Sequence, residues 1–120
     1  MVPTKRAQRV AKLIQKEAGS FIQKEINTPD VGLVTLTSVE ITNDLQHARI
    51  YYSVYGSEEN RKSAAELLSR LTPLVRYHIG QNVKLRLTPE IAFRYDESVD
   101  YAARIESLIE KIHEQEKDGE

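Results

Sequence analysis

Lys5, Arg9, Lys12 and Lys16 stand at i, i+4, i+7 and i+11, and at ~100° per residue such a spacing puts four cations in one narrow arc of a helix. A line of positive charge neutralises phosphates along a polyanion. A solvated helix face yields the same residue types, because Lys and Arg are good helix formers. The single sign along three turns, with Glu17 and Glu25 set off the arc, favours a binding ridge, since a purely structural face gains from mixed i,i+4 pairs. A second set interleaves Arg49 with Tyr51 and Tyr55, pairing charge for phosphate with rings for base stacking. Tyrosine is also favoured on half-exposed strands for packing alone. Arg76, Lys84, Arg86 and Arg94 complete the cations near these stretches.

Nothing comparable supports bond-breaking chemistry. The chain has no G-x-S-x-G, P-loop or G-x-G-x-x-G motif, and an acyl-phosphate hydrolase would need a clustered base or anion cradle that is not seen. His78 lies near an apolar stripe and reads as a packing residue; His47 and His113 stand far apart with no second histidine at metal-ligand spacing. With no cysteine there is neither a disulfide framework nor a thiolate metal site. No metal, cofactor or catalytic residue is expected.

The elements that must position these cations follow from periodicity. Val10, Leu13, Ile14, Ala18, Phe21 and Ile22 recur at helical spacing between Thr4, an N-cap, and Ile26. Thr28-Pro29-Asp30 breaks that helix. Val31 to Thr42 reads as a strand whose apolar parity changes between Leu36 and Val39, which suits either a bulge or a strand covered on both faces and leaves the register open. After a turn at Asn43-Asp44, His47 to Tyr55 alternates, with Ala48, Ile50, Tyr52 and Val54 facing the core. Ser57 caps a helix carrying Ala64, Leu67, Leu68 and Leu71; Thr72-Pro73 then ends it and starts another, lined by Leu74, Val75, His78 and Ile79. Lys84 to Tyr95 alternates again as a strand with Leu85, Leu87, Ile91, Phe93 and Tyr95 inward, and Pro89 marks an edge or bulge. Ser98 caps a last helix with the stripe Tyr101, Ile105, Leu108, Ile109 and Ile112, expected to dock before an acidic end. The fold class is α+β, in the order α-β-β-α-kink-α-β, with a three-stranded sheet and a C-terminal helix.

Its 120 residues fit one core, divided here into a body at 1–97 and a C-terminal helix with acidic tail at 98–120. No apolar run approaches the ~20 residues of a membrane span, and the N-terminus lacks a secretory signal's apolar segment, so a soluble, cytoplasmic protein with no membrane partner is expected. The net charge of −1 hides an asymmetry: residues 1–95 hold 14 Lys/Arg against 9 Asp/Glu, net +5, and residues 96–120 hold 3 against 9, net −6. The tail is either a solubilising terminus or a shield over the basic body.

Several stretches together resemble the bacterial ribosome-binding factor A family. They are Arg6, Arg9 and Val10 opening the first helix; VTLTSVEITNDLQHARIYYSV from Val34 to Val54, with Asp44, Leu45 and Ala48; and LRLTPEIAFRYDES from Leu85 to Ser98, with Arg86, Pro89, Glu90, Phe93 and Asp96. The resemblance spans roughly Lys5 to Ile109. It implies a type II KH-like topology and a non-catalytic, monomeric factor that binds the immature small (30S) ribosomal subunit and its rRNA. It further implies support of late maturation, rRNA 5′-end processing and growth in the cold, with release before translation. Ribosomal proteins and other assembly factors are further candidate partners, and a protein-interaction module acting through the C-terminal helix without RNA is the alternative. A standard KH domain grips nucleic acid with a GXXG loop between its central helices, and the family carries an Ala-x-Gly kink there. This chain has Leu71-Thr72-Pro73 instead, which offers neither glycine's close approach nor a proline N–H. RNA contact is therefore expected through surface cations: Lys5, Arg6, Arg9, Lys12, Lys16, Arg49, Arg76, Lys84, Arg86 and Arg94.

Overall fold

A computed structural model of the chain describes residues 2–26, 28–98, 105–106 and 108–112. Helix α1, Lys5–Glu25, begins as its sequence requires: the Thr4 hydroxyl accepts the Ala7 N–H at 3.0 Å. A 3₁₀ turn at Pro29–Val31 follows, then the antiparallel strands β1, Leu33–Ile41, and β2, His47–Tyr55. Helix α2, Glu58–Asn82, crosses over the sheet to β3, Glu90–Tyr95, which runs parallel to β2. The strand order is β1-β2-β3.

Both helices bury one face against the same side of the sheet. Val10, Ile14 and Ala18 of α1 meet Ala48 and Ile50 of β2, Val75 and Ile79 of α2, and Ile91 of β3. A second cluster joins Ile22 to Tyr52, Val54, Ala64 and Leu68. Ile14, Ile50, Leu68 and Ile79 are fully buried, each contributing about 1.5–3 kcal/mol relative to exposure. The alternation of β2 therefore sends Arg49, Tyr51, Ser53 and Tyr55 to the sheet's other, uncovered face. The parity change in β1 is a register shift between Leu36 and Ser38. Thr37, the extra residue, donates its hydroxyl to Asp96 Oδ2 at 2.6 Å, tying the edge strand to the residue that follows β3.

Three expectations are corrected. The Thr72–Pro73 break does not divide two helices: α2 runs through Pro73 as one element. Leu68, Val75 and Ile79 hold both arms against the core, and the Thr72 hydroxyl donates to Leu68 O at 2.8 Å beside the missing proline donor. The last strand begins at Glu90, not Lys84. Its partner β2 starts at His47, opposite Glu90, so Lys84 to Pro89 have no strand to pair with despite their alternation, and Leu87 is 74% exposed. The C-terminal residues 105–106 and 108–112 are helical, but Ile105, Leu108, Ile109 and Ile112 are exposed, not buried as a docked stripe would be. Tyr101 and the acidic end lie outside the described residues. Among the described residues no helix is long and apolar enough to cross a membrane.

Candidate nucleic-acid interface

The turn between β1 and β2 fixes where α1 starts. Asn43 Oδ1 accepts the Thr4 N–H at 3.0 Å, and Asn43 Nδ2 donates to Val2 O at 3.2 Å. Asp44 stiffens that turn: its Oδ1 accepts the Thr42 hydroxyl at 2.6 Å and the Gln46 N–H at 3.1 Å. These two bonds, the hydroxyl's first, hold the Asp44 carboxyl below the usual aspartate range. Leu45 takes φ 61°, a left-handed conformation that costs a non-glycine residue about 1–2 kcal/mol. Its side chain packs against the core in return.

From that anchored start, Lys5, Arg9, Lys12 and Lys16 are all exposed on the side of α1 opposite its buried Ala7, Val10, Ile14 and Ala18. None of the four is ion-paired with another described residue, so their charge is uncompensated within the body. Arg6 sits off that line, toward the α2–β3 connection. It shares a groove of about 460 Å³ with Asp44, Leu45, Gln46, Leu85, Arg86 and Leu87. Lys84 is exposed in the same connection.

The remaining candidates separate from this group. Arg49 pairs in register with Ala92, and Tyr51 with Arg94, placing both arginines on the uncovered sheet face, across the molecule from the α1 ridge. Tyr51 donates its hydroxyl to Glu40 Oε2 at 3.3 Å, whereas Tyr55 is 83% exposed. Arg76 is engaged in the fold: Nε donates to Pro89 O at 3.1 Å and Nη2 to Thr88 O at 3.0 Å, with Glu90 at 3.5 Å. This clasp holds the end of the connection that carries Lys84 and Arg86. His78 is a packing residue, 3.2 Å from Glu17 Oε2 and 5.2 Å between ring centroids from Phe21.

Arg76, Lys84 and Arg86 read alike in the sequence as nearby cations, and the fold gives them different surroundings: Arg76 is bonded to Thr88 and Pro89, while Arg86 lines the groove with Arg6. Sequence reasoning singled out Arg6 and Arg86 without joining them; no local pattern links residues so far apart. Asp44 was recognised as a turn residue, and its presence in a groove with two arginines was not.

No open loop interrupts α2 at Leu71-Thr72-Pro73, so the place where a KH domain grips a strand is here a continuous helix. Comparison with known proteins agrees with this architecture. The solved structures it resembles include the crystal structure of ribosome-binding factor A from Thermus thermophilus, at TM-score 0.64 and 19% identity over 74% of this chain and 94% of that one. A Thermus thermophilus ribosome binding factor A homology model fitted into a cryo-EM map of a 30S complex gives 0.64 and 23%, over 77% and 96%. A Thermotoga maritima solution structure assigned to ribosome binding factor A gives TM-score 0.65 at 32% identity, over 78% and 90% of the two chains. Ribosome-binding factor A of Halothermothrix orenii is 44% identical over 112 residues, which are 93% of this chain and 92% of that protein. The ribosome-binding factor A family model matches residues 6–109, and with that match over most of its length, the chain belongs to the ribosome-binding factor A family.

Proposed function

We propose that the chain is a non-catalytic assembly factor that docks on the immature small ribosomal subunit and its rRNA. In this reading it supports late maturation and 5′-end processing, aids growth in the cold, acts in the cytoplasm as a monomer, and leaves before translation. Residues 1–97 form the binding body and 98–120 an appendage. The observation that carries the reading is the α1 ridge: four exposed cations of one sign, uncompensated by any described carboxylate, in a family one of whose Thermus members has been fitted into a map of a 30S complex. Contact runs mainly through phosphates, with placement set by shape. Arg6, Lys84 and Arg86 extend the helix-side surface; Arg49 and Arg94 offer a separate one.

The test is sedimentation of the purified chain with cell ribosomes. The protein should run with free small subunits and be absent from translating ribosomes; equal occupancy of both would overturn the reading. The exposed Ile105, Leu108, Ile109 and Ile112 favour a second reading, docking on a protein through the C-terminal helix. Truncation after Glu97 that abolishes subunit binding, while neutralising the ridge leaves it intact, would establish that second reading in place of the first.

A further inference from the structure

The groove shared by Arg6 and Arg86 is assembled from three separated parts of the chain, and each part is fastened. Arg6 lies in the first turn of α1, whose cap residue Thr4 and the preceding Val2 are each tied to Asn43 of the β1–β2 turn. Asp44 belongs to that turn and is fixed by Thr42 and Gln46. Arg86 follows Leu85, which packs against the core, and precedes the Thr88–Pro89 segment clasped by Arg76. The Pro89 side chain is fully buried, which fixes the far end of the connection.

The chemistry is mixed in a specific way. Two guanidinium groups against one carboxylate leave the lining net positive, and neither arginine is ion-paired with a described carboxylate. Guanidinium groups match phosphate with paired N–H donors. Asp44 spends Oδ1 on the turn; its own N–H and His47 also act on the carboxylate, and Oδ2 takes no hydrogen bond from another described side chain or turn N–H. Leu45, Leu85 and the 74%-exposed Leu87 supply apolar wall. At about 460 Å³, the groove falls within the ~300–1,000 Å³ of small-ligand clefts. A bare anion would use the arginines and leave the leucines and the acceptor oxygen idle. The left-handed Leu45 is a strained residue at this place, as functional sites often hold.

We propose that this groove holds one unstacked nucleotide of the bound RNA, its phosphate between Arg6 and Arg86 and an exocyclic amino group of its base on Asp44 Oδ2. The proposal rests on the RNA-binding reading and adds a base preference to it: adenine, cytosine and guanine carry such an exocyclic amino group, whereas uracil has none and offers only its ring N3–H between two carbonyls. Single-stranded positions are where such readout occurs in RNA.

The test is a titration of the isotope-labelled full chain, followed by amide NMR, with AMP, CMP, GMP, UMP and inorganic phosphate. The three amino-bearing nucleotides should shift the amides of 6–7, 44–46 and 85–87, with UMP binding about three- to tenfold more weakly, the weight of one exposed hydrogen bond to a charged acceptor. Arg6→Ala with Arg86→Ala should abolish these shifts while the rest of the spectrum persists. Asp44→Asn keeps an oxygen for Gln46 and puts a donor where Oδ2 stood, so the preference should move toward UMP. Equal shifts with all four nucleotides and phosphate would reduce the groove to an anion site and overturn the base contact. No shift with any probe, in a protein that still sediments with small subunits, would overturn the groove and leave the proposed function standing. Loss of subunit binding by the wild-type chain would remove the function itself.

Discussion

Replacing Arg76 with alanine separates a cation that holds the fold from one that holds RNA. Arg76 makes two charge-assisted hydrogen bonds to backbone carbonyls, at 3.1 Å to Pro89 and 3.0 Å to Thr88. Such bonds are worth ~1.5–3 kcal/mol each when shielded, and partial exposure brings each to about 1. The Glu90 pair at 3.5 Å has side chains 44% and 69% exposed, so it adds a few tenths of a kcal/mol at most. Arg76→Ala should therefore cost about 2 kcal/mol, or a fall of roughly 6–12 °C in Tm for a 120-residue chain. Arg76→Lys keeps the charge but not the two-nitrogen fork, and should lose about half as much. Urea unfolding followed by circular dichroism reads both, with midpoints falling by about 1 M and 0.5 M for an m-value near ~2 kcal/mol/M. Small-subunit binding, measured where all three proteins are folded, should change by less than about threefold. An Arg76→Ala protein as stable as wild type but unable to bind subunits would refute the clasp and return Arg76 to the interface.

Three further predictions concern the scaffold. Pro73 is exposed inside α2, so Pro73→Ala restores a backbone donor and should raise stability by about 1–3 kcal/mol in thermal melts, with RNA affinity unchanged; a loss of stability would show that the helix depends on proline there. Gly32 has φ 66°, and an added Cβ would meet Tyr55 O at 2.7 Å, so Gly32→Ala should cost about 2–3 kcal/mol by urea unfolding. The Asp96 carboxyl is held below its ordinary 3.8 by the Ser98 hydroxyl first and the Thr37 hydroxyl second. A lowered folded value contributes stability above the unfolded value that is lost as pH falls through the folded one. The Tm gap between wild type and Asp96→Asn should thus be full at pH 6 and shrink below about pH 4; a pH-independent gap would contradict it.

Local pattern was sufficient where partners are close in sequence. The Thr4 cap and the β2 alternation are each written within a few residues and form as read, and of the two readings open for the parity change in β1 the structure takes the bulge. It failed where a distant partner decides. Residues 84–88 alternate as a strand would, but a strand needs a neighbour, and β2 has none to offer upstream of His47. Pro73 reads as a stop, yet buried residues on both sides hold the helix through it. The cations were legible as exposed side chains, whereas their division among the α1 ridge, the Arg6–Arg86 groove, the Arg76 clasp and the opposite sheet face is a product of topology.

The central claim is that the α1 ridge binds rRNA phosphates, and the salt dependence of small-subunit binding tests it most directly. Glutamine is a good helix former, so replacing Lys5, Arg9, Lys12 and Lys16 with Gln removes four exposed charges with little effect on folding. If each contacts one phosphate, at ~0.7–0.9 per contact, the slope of log K against log salt should become shallower by about 3. A slope equal to that of wild type, in a variant with the wild-type Tm, would contradict the account.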